Sequence, residues 1–65
     1  MIVYTVYFEN YHKTFIGTPT AVFQFLVGQN VSYEEARKAC NWCERAAIGD
    51  YYQSDNFDIE TDIIE

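Results

Sequence analysis

One proline, one histidine, two cysteines, three glycines and four lysines or arginines are all that this 65-residue chain holds of those types. Three of these scarcities each close a class of function. Two cysteines set three apart cannot form the bridged framework of a secreted mini-protein. Four cations with no cluster among them exclude direct nucleic-acid binding and binding to an anionic membrane, because phosphate contacts need grouped Lys and Arg. A single histidine, with no serine or cysteine in a nucleophile motif, leaves no catalytic triad to assemble. No stretch approaches the ~20 apolar residues of a membrane span. The opening MIVYTVYFEN lacks the basic and small-residue marks of a signal peptide. Cytoplasmic residence is therefore the expectation, and the chain calls for no cofactor.

What is abundant is apolar and aromatic surface. Hydrophobic residues make up 49 % of the chain and aromatics 18 %, which is not the composition of a disordered segment. A chain of this length forms one domain, residues 1–65, and buries only ~60 % of its unfolded surface, so its stability margin is thin.

Charge is unevenly placed. Up to Gly49, the acids Glu9, Glu34, Glu35 and Glu44 are matched by Lys13, Arg37, Lys38 and Arg45. From Asp50 onward there are acids at Asp50, Asp55, Asp58, Glu60, Asp62 and Glu65 and no Lys or Arg, so the net charge of -6 sits in the last quarter. Within it, Phe57, Ile59, Thr61 and Ile63 alternate with Asp58, Glu60 and Asp62, the period of a strand with one apolar and one carboxylate face. Alternate carboxylates on such a strand stand ~6.8 Å apart, about two phosphate steps along one DNA strand. The plain explanation is an edge strand kept from pairing by outward charge.

The remaining elements follow from pattern. Ile2–Phe8 alternates and is rich in β-branched and aromatic residues, and Thr14–Ile16 returns after a polar connection at Glu9–Lys13, giving a hairpin. Thr18-Pro19 starts a short helix over Thr20–Val27, with Thr18 capping it and Gly28 ending it. Ser32 and Glu35 form a capping box, flanked by Val31 and Ala36 at the staple positions. The helix that follows runs to Ile48, closes at Gly49, and places Tyr33, Ala36, Ala39, Cys40, Cys43, Ala46 and Ala47 on one arc. Asp50–Asn56 reads as a turn-rich connection before the last strand. The order ββααβ predicts an α+β fold: a three-stranded, mostly antiparallel sheet, the first strand central, with an αα-hairpin packed on one face.

Cys40-Asn41-Trp42-Cys43 is a C-x-x-C set in mid-helix, eight residues beyond Ser32, where the helix dipole no longer lowers a thiol pKa. With His12 it gives three zinc ligands, one short of a structural site, so only a dimer sharing a metal completes the set. The small-residue stripe explains both thiols as core. Asp55 onward is rich in oxygen donors but lacks the EF-hand glycine, and a 65-residue fold offers little depth for carboxylate-pair catalysis. An enzyme is not expected, and no metal site is assigned.

Tyr51 and Tyr52 open the acidic stretch, and adjacent strand positions cannot both face inward. Tyrosine anchors and carboxylate steering together fit a protein interface. The expectation is an interaction module that binds a basic protein surface through Asp55, Asp58, Glu60 and Asp62, with Tyr51 or Tyr52 as anchor. A nucleic-acid-binding protein is one such target, the acid row standing in for DNA, as in an inhibitor carried by a phage or mobile element. The alternatives are a structural domain that forms a homodimer through an exposed strand, and a metal-dependent dimer through Cys40 and Cys43.

Overall fold

The computed structural model describes residues 1–64 and is α+β. Its elements in order are β1 (Ile2–Tyr7), β2 (His12–Ile16), α1 (Pro19–Gly28), α2 (Tyr33–Arg45), β3 (Tyr51–Gln53) and β4 (Asp58–Ile63). The sheet is antiparallel throughout, in the order β2-β1-β4-β3. The expected three strands become four, because Tyr51–Gln53 pairs with Asp58–Glu60 rather than forming a plain connection. β1 is interior, as its two apolar-rich faces predict.

Both helices cover one face. Tyr4 and Val6 of β1, Phe57 and Ile59, Val22 and Leu26 of α1, Val31, and Ala36, Ala39 and Cys43 of α2 form the core. Val6, Val22, Leu26 and Ile59 are fully buried, each contributing ~1.5–3 kcal/mol from the apolar surface withdrawn from water. The small residues of α2 let its backbone approach that of α1 closely. Around this centre lies an aromatic shell. Phe25 meets Phe8 and Phe15 at 5.8 and 5.2 Å, and Trp42 meets Tyr52 at 5.3 Å.

The helix ends differ from expectation in four places. Thr18 makes no side-chain cap to α1 and instead donates its hydroxyl to the Ile16 carbonyl at 3.1 Å. Gly28 remains helical, and the left-handed position is Asn30, with φ of 65°. Ser32 does accept from the Glu35 N–H at 3.2 Å, but the Glu35 carboxylate accepts from the Ser54 hydroxyl instead of closing the capping box. Val31 and Ala36, the staple pair, are both buried. Finally, α2 stops at Arg45, with Ala46 extended. The chain is turned early because Asp50 accepts from the Ala47 N–H at 2.9 Å. Thr61 of β4 completes the turn, its hydroxyl lying 2.7 Å from the Ala47 carbonyl and 3.0 Å from that of Asp50. Gly49, with φ of 91°, makes the bend that no L side chain adopts readily.

Candidate functional site

Among the described residues no element covers the face of the sheet away from the helices, and that face carries the acids. Residues opposed across antiparallel strands share a face. Since Val6 pairs with Ile59 and both are buried under the helices, their neighbours point outward. Asp58 lies between Tyr7 and Gln53, Glu60 between Thr5 and Tyr51, and Asp62 beside Val3. β2 extends these rows with His12, Thr14 and Ile16. At ~3.4 Å per residue, the carboxylates of β4 stand ~6.8 Å apart along the strand.

β4 is not an edge strand. β1 pairs with it along its whole length and β3 with its first half, and beyond β3 the Gly49 N–H donates to the Thr61 carbonyl and the Thr61 N–H to that of Asp50. Guarding an open edge against pairing therefore does not account for the outward charges of Asp58 and Glu60.

No Lys or Arg of the described residues stands among them. Lys13 pairs with Val6 and so belongs to the helix side, its ammonium 5.5 Å from the centre of the Phe25 ring. Arg37, Lys38 and Arg45 lie on α2. The one ion pair among the described residues joins Lys38 to Glu34 at 3.9 Å, on exposed helix surface. The acidic face is thus uncompensated locally.

The candidate residues separate clearly. Asp58, Glu60, Asp62 and Tyr51 share the open face. Tyr51 is 54 % exposed, and hydrogen bonding to the Asp58 carboxylate, then loss of hydration and the charges of Asp58 and Glu60, push its phenol above the ordinary value. Tyr52 is half-buried on the other side against Trp42 and Phe57, a core-margin residue. Asp55 lies in the turn before β4, at the rim of an open depression of about 300 Å3 lined also by Glu9, Gln53 and Asp58.

His12 is not a turn residue. It opens β2 and sets its ring 5.5 Å from that of Tyr7 on the open face. Tyr7 and Thr5 were legible only as part of the amphipathic face of the first strand. Which acids they would border depends on strand order.

Cys40 is half-buried and Cys43 buried, both unbridged. Burial, then the charges of Cys40 and Glu44, pushes the Cys43 thiol up to about 12, and burial followed by Glu44 raises Cys40. Thiols so placed resist forming the thiolate that metal binding and redox exchange require. His12 lies across the sheet from them. Among the described residues no group of three or more His, Cys, Asp or Glu is placed to hold a metal ion, and no helix is long and apolar enough to cross a membrane.

Compared with protein-family models, curated proteins and solved structures, the chain matches none.

Proposed function

We propose that this chain is a protein–protein interaction module whose open sheet face binds a basic protein surface through Asp58, Glu60 and Asp62, with Tyr51 as the anchor beside them. The observation that carries this reading is the position of the acids on an interior strand. Charge at an edge prevents pairing, but charge across the middle of a sheet adds self-repulsion with no such return. Asp55 continues the acidic surface around the end of the sheet.

The target surface in this reading is the phosphate-binding site of a nucleic-acid-binding protein. Carboxylates repeating every ~6.8 Å approximate alternate phosphates of one strand, and uncompensated negative charge speeds encounter with a basic cleft. The chain would then act as an inhibitor that occupies the cleft.

The test uses immobilised chain, basic nucleic-acid enzymes as candidate partners, and duplex DNA as competitor. Retention at low salt, release at ~0.5 M salt where screening lengths fall to a few Å, and displacement by DNA are expected. Asp58→Asn/Glu60→Gln/Asp62→Asn should abolish retention while leaving the circular dichroism spectrum unchanged. Equal retention of that triple variant would sink the reading.

A further inference from the structure

The outer edge of β2 is a pairing surface, and its hydrogen-bond parity can be read from the two ends of the hairpin. The Gly17 N–H donates to the Ile2 carbonyl at 2.9 Å, and the Phe8 N–H donates to the Tyr11 carbonyl at 2.7 Å. In an antiparallel ladder such bonds flank the pairs Val3–Ile16 and Tyr7–His12 on the outside, so neither pair exchanges bonds directly. Alternation makes Thr5–Thr14 a third pair of that kind, and the close approach expected there shows in their hydroxyls, 3.1 Å apart. The main-chain N–H and C=O groups of His12, Thr14 and Ile16 therefore point away from β1, to the side where the described residues add no further strand.

This edge carries few of the usual guards. It has five residues in unbroken register with β1, hence no bulge, and no proline. Its lysine does not project across it: the Lys13 ammonium lies 5.7 and 5.5 Å from the centres of the Phe15 and Phe25 rings of its own chain. Ile16 is 53 % exposed. The opposite edge is different, since β3 offers only three residues to pair.

We infer that β2 pairs antiparallel with β2 of a second copy of this chain, about a two-fold axis at Thr14. The segment is self-complementary in that register. Thr14 exchanges two bonds with Thr14 of the partner subunit, and His12 and Ile16 each face the other's counterpart, an isologous contact. The Ile16 carbonyl, which already accepts from the Thr18 hydroxyl, keeps a second lone pair for it. Charge selects this occupant. β2 is the margin of the sheet two strands removed from β4, so the acid rows of the two copies stand five strand spacings apart, ~24 Å, beyond two screening lengths at physiological salt. The result is one eight-stranded sheet with both carboxylate rows on the same open face, an assembly that does not depend on what that face binds.

Sedimentation equilibrium of the full chain from micromolar to ~1 mM is the direct test, with a mass that rises toward twice the monomer expected. Thr14→Pro removes an outward N–H without touching the β1 ladder and should remain monomeric. Thr14→Lys and Thr14→Glu each place like charges across the axis and should be monomeric alone, but a 1:1 mixture should recover the dimer. That mixture keeps the test decisive if the proline variant fails to fold. A wild-type chain monomeric at ~1 mM, or Lys and Glu variants that dimerise alone as well as together, would overturn the inference.

Discussion

Tyr4 donates its hydroxyl to the main-chain carbonyl of Cys43 at 2.9 Å, in a buried bond that ties the interior strand to the end of α2. Cys43 is in the last turn of a helix that stops at Arg45, so its carbonyl has no N–H partner four residues on. The Ala47 N–H that would have served is taken by Asp50. Tyr4 thus satisfies an acceptor that the early helix end creates.

Tyr4→Phe should therefore cost more than an ordinary hydroxyl. It leaves a buried carbonyl unpaired, with a penalty of ~1–3 kcal/mol. With a urea slope of ~1 kcal/mol per molar for a chain this small, the unfolding midpoint should fall by at least ~1 M. Tyr33→Phe is the control, because Tyr33 is 63 % exposed and should change little. Equal midpoints for the two variants would show that the bond to Cys43 contributes nothing.

Alkaline pH should unfold the chain progressively. Burial, then the charges of Cys43 and Glu44, raises the Tyr4 phenol. Burial, then Glu35 and Cys43, raises Tyr52, while the Cys43 thiol is pushed up to about 12. Each group is held neutral in the fold above its unfolded value. Its stabilising contribution is complete below that value and is lost as pH climbs toward the folded one. Urea midpoints should be level with respect to these groups below pH ~8, then decline from ~8.5 through 10 and beyond. Cys43→Ala, which removes the most shifted group, should make that decline shallower. A curve that rises over this range would contradict the burial of these three groups.

Much of this architecture could be read from the chain, because the informative stretches carry one clean period. Ile2–Tyr7 and Phe57–Ile63 alternate, and Ser32 with its neighbours marks a helix start that the structure keeps. β3 was hidden for a physical reason. Three residues, Tyr51-Tyr52-Gln53, are too few to show a period, and what makes them a strand is the ladder offered by β4. The end of α2 was hidden because Ala46-Ala47-Ile48 continues an apolar arc, while the turn is enforced by Thr61, fourteen residues beyond Ala47. Of the candidate face, the carboxylates were visible as a row. Their setting between Tyr7 and Gln53, and between Thr5 and Tyr51, was not, since it depends on which strands neighbour β4. The same ignorance of strand order allowed the acids to be explained as edge protection.

Glu60 is where the binding reading and the stability of the fold pull in opposite directions. It is exposed, has Asp58 and Asp62 two residues away on either side, and makes no side-chain hydrogen bond or ion pair among the described residues. By contrast Asp62 accepts from the Ile63 N–H at 2.8 Å, and Asp58 is the neighbour that does most to raise the Tyr51 phenol. Replacing Glu60 with Gln therefore removes repulsion and little else. Glu60→Gln should raise the urea midpoint at low salt by an amount worth a few tenths of a kcal/mol, within the range of surface substitutions. The gain should vanish near 1 M salt, where the screening length is ~3 Å. The same change should weaken retention of a basic partner at low salt. Stability that rises while binding falls is the pattern of a residue kept for what it contacts. If Glu60→Gln lowered the midpoint instead, the carboxylate would be a structural part of the strand, and the case for the open face would rest on Asp58 and Asp62 alone.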